Sequence, residues 1–482
     1  MSPGRPSRGP HSTHRREPER REPRPPRGRN PRTDPARLAA YEALIAVNRD
    51  DAYANLALPR LLREHRVVGR DAALATELTY GTLRNLGQLD AILAAAARRP
   101  VARIDPPARD ALRLGAYQVL HTRIPPHAAV ATTVDLVRSV APPAVGFANA
   151  VMRRVAGQDL PAWLVEVAPS REDDPVGHLA LAHAHPEWIV RAFADALGGN
   201  LDETEAALAA DNERPAVHLC ARPGRITADE LANEVGGLVG AFSPYAVLLP
   251  EGSPGDISSV ARGLAHVQDE GSQLVAAAVA DAALEGADDQ WLDLCAGPGG
   301  KAALLGGLAS QRGAHLTAVE VAPHRVRLVE QAVAGMPVTV VCADGREVGS
   351  HEALPEGAFD RVLVDAPCTG LGSLRRRPEA RWRRQPGDLP PLTRLQRELL
   401  GAALRAVRPG GIVGYVVCSP HVVETRVTVD ETTRRSASTV ELVDARAALP
   451  AGMPDLGAGP AVQLWPHRHG TDAMFLAMLR RR

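Results

Sequence analysis

The sequence predicts a multi-domain chain with an all-α N-terminal domain, a small α+β subdomain and a C-terminal α/β domain on a mostly parallel, doubly wound sheet. Three observations carry that expectation. The chain has 482 residues, too many for one hydrophobic core. Between 34 and 156, apolar residues recur at three and four, the helical period. From 267 to 482, apolar strand-like segments alternate with loop and helical stretches at intervals of about 20–25 residues, the signature of parallel strands joined by crossover helices.

Composition sets the outer limits. Apolar residues make up 45% of the chain and aromatics only 3%, so the cores must be built from Ala, Leu and Val. Net charge is zero but uneven: Arg5 to Arg32 carries ten arginines against three glutamates, which leaves the rest mildly acidic. Any polyanion partner must therefore be met by local patches rather than by the overall field. The five cysteines (220, 295, 342, 368 and 418) are odd in number and contain no C-x-x-C pair. That argues against a disulfide framework or structural zinc and fits a reducing cytoplasm. With no long apolar run and no apolar leader at the N-terminus, the expectation is a cytoplasmic monomer without metal or membrane contact.

Taken in order, residues 1–33 are rich in Arg, Pro, Gly and Ser and read as a disordered tail. Residues 34–156 hold five to seven helices, with Pro35, Pro106 and Pro107 at starts, where proline costs no hydrogen bond. Their arginines Arg84, Arg113, Arg153 and Arg154 read as wet helix faces rather than phosphate contacts. Residues 157–266 form a linker and the α+β subdomain. A loop runs to about 184, HPEWIVRAFADALG is a helix, and the strands AVHLCARPG and YAVLLPEG flank the helix ITADELANEVG. Cys220, on the first of those strands, reads as packing. In 267–482 the strands are WLDLCAG (291–297), HLTAVEV (315–321), TVVCAD (339–344), FDRVLVDAP (359–367) and IVGYVVCS (412–419). TVELVDA and MFLAMLRR follow as late strands, the last a candidate antiparallel edge.

Ligands bind beyond the carboxyl ends of the strands in such sheets. Those ends carry Asp293 and the loop CAGPGGK, then Glu320, Asp344, Asp365 with Cys368, and Cys418. Lys301, at the end of the Gly loop, is the only lysine in the chain, which suggests a site needing a compact ammonium on a flexible stem. Acidic residues at four consecutive strand ends describe a nucleoside pocket. The loop is neither a Walker A sequence nor G-x-G-x-x-G, so a phosphate-free nucleoside cofactor and NAD both stay open. Cys368 follows Pro367 at one strand end, Cys418 ends the next strand, and neighbouring strands lie ~4.8 Å apart. Two thiols and a carboxylate can therefore converge, whereas Cys295 and Cys342 read as small buried hydrophobes. Cytosine C5 methylation needs such a set. A thiolate adds to C6, C5 becomes nucleophilic and takes a methyl group, and a base then removes the C5 proton so that the thiolate leaves.

The segments DLCAGPGGK, DAPCTG, LQRELLGAALRAVRPGG and YVVCS resemble the motifs of RNA cytosine-5 methyltransferases, and the helical part resembles NusB-type RNA-binding domains. Together, over about 35–482, they resemble the bacterial small-subunit ribosomal RNA methyltransferase family called Sun, Fmu or RsmB. The resemblance implies a Rossmann-like catalytic domain with S-adenosyl-L-methionine as cofactor. It would lie over Cys295, Ala296, Gly297, Pro298, Gly299, Gly300 and Lys301, with Glu320, Arg325, Asp344 and Asp365 around it. It further implies Cys418 as nucleophile, Cys368 as the group assisting product release, and Asp365 at the base or the cofactor's methionine end. The family usually has Thr-Cys where Val417–Cys418 stands here.

Between the two thiols lies LRRRPEARWRRQPGDLPPL, in which Arg375, Arg376, Arg377, Arg381, Arg383 and Arg384 surround Trp382. Guanidinium forks match phosphates and an indole can stack on an unpaired base, so this segment is expected to grip RNA. The target cytosine would have to be unstacked. The expected activity is methylation of cytosine C5 in RNA, with 16S rRNA as the leading substrate. A tRNA or DNA cytosine methyltransferase, in the DNA case with Cys368 as attacker, and a non-catalytic NusB-like assembly factor are the alternatives.

Overall fold

The computed structural model describes Met1 and residues 33–436 and 439–482; the expected tail lies outside the described residues apart from those two ends. Asp34 opens the first helix by accepting hydrogen bonds from the backbone N–H groups of Ala36 and Arg37, with Pro35 in the first turn. Seven helices follow in this part: α1 (Pro35–Arg49), α2 (Ala54–Glu64), α3 (Gly69–Arg84), α4 (Leu86–Ala97), α5 (Pro106–His121), α6 (Pro126–Val140) and α7 (Val145–Val155). Their apolar stripes meet in one core containing Leu44, Leu78, Leu89, Ile92, Leu112 and Met152. The stretch ALATELTYGTLRNLGQLDAILAAAA, helical by its apolar period throughout, is two helices, because the chain turns at Asn85, whose amide donates to the Gly81 carbonyl. Arg113 is not on a wet face. It is buried between Asp90 and Asp110, and Arg84 is buried as well.

The stretch 157–184, expected as loop, contains the helices Leu160–Val167 and Pro175–Ala182, each capped by an aspartate, Asp159 or Asp174. After the expected helix at Glu187–Ala196, a small antiparallel sheet forms from β1 (Val217–Ala221), β2 (Leu238–Val239), β3 (Ala246–Leu249) and β4 (Ala265–Val267), in the order β2-β3-β1-β4. The short β2 and β4 carry too few residues for a visible alternation.

The larger sheet contains β5 (Gln290–Asp293), β6 (His315–Val319), β7 (Val338–Val341), β8 (Phe359–Asp365), β9 (Val407–Val417), β10 (Val440–Val443), β11 (Val462–Gln463) and β12 (Phe475–Arg481). Its order is β10-β12-β9-β8-β5-β6-β7, with β11 pairing on β12. The pairs among β5, β6, β7, β8 and β9 are parallel. The expected antiparallel edge strand β12 is antiparallel but not an edge: it inserts between β9 and β10. Phe475 to Leu479 are buried without alternation, as an interior strand covered on both faces requires. Trp291, Leu316, Val362 and Tyr415 anchor the cores on the two faces. Among the described residues, no helix is long and apolar enough to cross a membrane.

Candidate active site

Parallel pairing sets Asp365, at the end of β8, opposite Val416, and the Ala366 N–H donates to the Val416 carbonyl at 2.9 Å. Both chains leave the sheet here, so the two following thiols meet: Cys368 Sγ lies 3.4 Å from Cys418 Sγ. The hydrogen bond from Cys368 holds the Cys418 thiol below its ordinary range, and the Lys301 ammonium acts in the same direction against burial. Cys368 is pushed well above its own range by that same bond and by burial. The pair thus favours Cys418 as the more acidic of the two sulfurs, and the thiolate is the nucleophilic form of cysteine. Lys301 Nζ donates to Asp365 Oδ2 at 2.7 Å, which fixes the lone lysine beside the thiols.

A residue absent from the sequence expectation braces this pair. Glu424 is wholly buried, and its carboxylate accepts from the Thr369 N–H at 2.8 Å, the Thr369 hydroxyl, the Ser419 hydroxyl at 2.6 Å and the Gln396 amide at 3.0 Å. Thr369 follows Cys368 and Ser419 follows Cys418, so one carboxylate ties down the neighbours of both sulfurs. Gln396 also donates to Pro367 O at 2.9 Å. The sequence offered only one signal, a lone acid in the apolar stretch HVVET.

The loop after β5 is shaped for close approach. A Cβ at Gly297 would stand 2.0 Å from Glu320 Oε2, and one at Gly299, where φ is +112°, would stand 2.6 Å from the Ala332 Cβ. Only glycine fits either position. Arg325 donates to the Gly297 carbonyl and faces Glu320 at 3.5 Å, which ties the loop to the end of β6. Asp293 is buried; its Oδ1 accepts from the Cys295 N–H at 3.3 Å, and its Oδ2 has no partner among the described residues. Burial, with the Asp365 charge adding to it, pushes the Asp293 carboxyl up to about 7. Asp344 is held by Arg346, at 2.6 Å from Nη2, which keeps its carboxyl below the usual range. These cradle glycines, the buried Glu320 and the orphaned Asp293 oxygen fit a nucleoside-type cofactor. Cys295 is half-buried beside them, whereas Cys342, expected to be buried, is exposed. Among the described residues, no group of His, Cys, Asp and Glu is arranged to hold a metal.

Cys418, Lys301, Asp365, Gly297 and Pro298 open on one cavity of about 730 Å³. Its far wall comes from the helical domain, through Glu77, Tyr80 and Arg84 of α3.

The arginine-rich segment, expected to grip RNA, is largely engaged in contacts within the protein, while Arg375, Arg376 and Arg377 also line the cavity. Arg375 and Arg376 are turned inward onto Asp269 and Asp472, at 2.6–3.1 Å. Arg381 is wholly buried and donates to the carbonyls of Arg84, Ala184 and Asp211 and to Asn212 Oδ1, at 2.7–3.3 Å. Trp382 donates to Leu83 O at 3.3 Å and packs on Gly87, where a Cβ would meet the indole at 2.2 Å. Arg383 caps the carbonyls of Val47 and Ala52 at 2.7 and 2.6 Å, and Arg384 donates to Thr369 O at 3.1 Å. The segment therefore clasps the helical domain to the sheet domain, and only Arg377 stays exposed, with its guanidinium carbon 5.7 Å from the Tyr53 ring centroid.

Comparison with known proteins agrees with this two-part construction. The NusB family model matches residues 34–157, and the model described as 16S rRNA methyltransferase RsmB/F matches 282–480. A Mycobacterium tuberculosis protein provisionally named a methyltransferase is 57% identical over 460 residues, covering 95% of this chain and 99% of its own. Ribosomal RNA small subunit methyltransferase B of Pseudomonas syringae is 33% identical over 457 residues, covering 92% of this chain and 96% of its own. The crystal structure of PH0851 shares the fold, with a TM-score of 0.75 at 24% identity over 92% of this chain and 98% of that one. Matched along nearly their whole length by such relatives, and with both halves covered in the same order, this chain belongs to the RsmB/F family of 16S rRNA methyltransferases, with a NusB-family domain ahead of the catalytic one.

Proposed function

We propose that this chain methylates C5 of a cytosine in 16S rRNA, with S-adenosyl-L-methionine as methyl donor and Cys418 as nucleophile. The observation that carries the reading is the 3.4 Å thiol pair, in which one sulfur is favoured as thiolate and the other as thiol. Cys418, of that pair, lines the same cavity as Gly297, Pro298, Gly300 and Lys301.

The Cys418 thiolate adds to C6 of the ring, forming the S–C6 bond while the C5–C6 π pair moves onto C5 and toward N3. Lys301, held on Asp365, gives that developing charge a fixed cation, and Cys368 gives its proton to N3. Gly297, Gly299, Glu320 and Asp344 would hold the cofactor, which would supply an electrophilic methyl group for C5 and leave as the thioether once its S–CH3 bond breaks. Cys368, now deprotonated, takes the proton from C5. The S–C6 bond breaks, the Cys418 thiolate is restored, and the N3 proton passes to solvent.

Single cysteine variants test the assignment on a denaturing gel with labelled rRNA. Cys418→Ala should form no adduct and no product, whereas Cys368→Ala should accumulate a covalent protein–RNA species. The reverse pattern would make Cys368 the attacker, and bisulfite sequencing of the product reads out whether C5 of cytosine is the methylated atom.

A further inference from the structure

Arg84 ends α3 and lines the cavity that contains Cys418, yet the proposed reaction makes no use of it. It is only 7% exposed. Its Nε has no hydrogen-bond partner, and among the described residues no carboxylate forms an ion pair with its guanidinium, Glu77 acting on it only through its charge. Other arginines near the domain junction have partners for their guanidinium ends: Arg113 on Asp90 and Asp110, Arg375 and Arg376 on Asp269 and Asp472, and Arg381 on four oxygens through Nη1 and Nη2, although its Nε also lacks a partner. A buried cation without an anion is costly, so a guanidinium left facing a cavity points to an anion that arrives from outside. Arg214, exposed and without an ion pair among the described residues, lines the same cavity.

We propose that Arg84, with Arg214 beside it, forms a phosphate-binding subsite for the RNA strand that delivers its nucleotide to Cys418. This rests on the reading that the substrate is RNA. The chemistry required is an anionic oxygen pair matching a guanidinium fork. The methyl donor's carboxylate could also supply one, but the donor's cradle lies on the sheet-domain floor, where Lys301 already stands. Arg84 forms its part of the cavity wall from the helical domain, on α3. A nucleotide turned out of its stack to present C6 brings its flanking phosphates to that wall. There a partly desolvated phosphate needs a partner, and Arg84 has none to give up.

The test uses the full-length protein, a short fluorescein-labelled, cytosine-containing single-stranded RNA, and S-adenosylhomocysteine as a separate probe. Arg84→Met removes no protein hydrogen bond, so its melting temperature should equal or exceed that of wild type. Its RNA affinity should fall about tenfold, and the slope of log affinity against log salt should flatten by about 0.7. Arg84→Lys should recover part of the affinity, Arg214→Ala should show a smaller loss, and S-adenosylhomocysteine affinity should not move. Unchanged RNA affinity in Arg84→Met, in a background where wild type forms the Cys418 adduct, overturns the subsite and leaves the proposed function standing. Loss of S-adenosylhomocysteine affinity with RNA binding intact also overturns it, by assigning Arg84 to the donor. A lowered melting temperature in both the Met and Lys variants overturns it as a structural role. A wild-type protein that binds no RNA removes the function reading and the subsite together.

Discussion

Replacing Glu424 should separate the two thiols without touching either. Its carboxylate receives four hydrogen bonds in a site where Glu424, Thr369, Ser419 and Gln396 are all essentially without solvent contact. In Glu424→Ala the two hydroxyls, 3.2 Å apart, can still satisfy one another, but the Thr369 N–H loses its only acceptor and the Gln396 amide loses one of two. One or two orphaned donors and the void of a deleted side chain together cost about 3–5 kcal/mol. Release of Thr369 and Ser419 frees Cys368 and Cys418 to drift, and a shift of about 1 Å between reacting groups costs about 100-fold in rate. Glu424→Gln preserves volume and one acceptor oxygen, so its loss of stability should be about 1–2 kcal/mol, with a rate loss of about tenfold or less. Thermal unfolding and single-turnover methyl transfer at saturating donor measure the two effects side by side. If Glu424→Ala loses the expected stability yet keeps a rate within about threefold of wild type, the brace serves folding and not the geometry of the sulfurs, and the reasoning fails.

Three further outcomes follow from the site and its surroundings. Because the Cys368 hydrogen bond lowers the Cys418 thiol, its thiolate is populated at lower pH than an ordinary cysteine's; the pH profile of Cys418 alkylation by iodoacetamide should move to higher pH in Cys368→Ala. Gly299→Ala forces a side chain onto φ +112° and against Ala332, and should cost about 1–3 kcal/mol while weakening S-adenosylmethionine binding measured by calorimetry. Asp211 is pushed by burial from its usual 3.8 up to about 7, so the folded state holds a proton that the unfolded state has lost. Its contribution to stability is complete below the unfolded value and is lost as pH rises through about 7, at about 1.4 kcal/mol per pH unit; Asp211→Asn should flatten urea stability across that window.

The sheet domain was readable because its chemistry sits at strand ends, and parallel strands advertise those ends by apolar runs closing on Asp293, Asp365 and Cys418. The meeting of the two sulfurs was readable for the same reason, since adjacent parallel strands leave little freedom in where their last residues lie. The internal contacts of the arginine segment were not readable because a run of like charges shows the donors and hides the acceptors. The oxygens that Arg381 satisfies come from residues 84, 184, 211 and 212, none of them nearby in sequence. Glu424 was missed for a related reason: its partners lie on three separate segments, and a lone glutamate in an apolar stretch looks like a solvated position. The helices at 160–167 and 175–182 were short, and their Pro and Asp residues, which cap them, resembled loop composition. Arg84 looked like an ordinary amphipathic-helix arginine until the second domain covered it.

The strand carrying Cys418 is closed on its outer side by β12, which pairs Phe475 opposite Val417 and Arg480 opposite Ile412. Until that distant segment docks, β9 is an unprotected margin with a row of free amides and carbonyls, open to wrong partners. Productive assembly of the strand that leads to Cys418 thus waits on a contact of high sequence separation, a slow step for a chain to find. During synthesis and refolding, the strand that leads to the thiol pair is thus left open to misassociation.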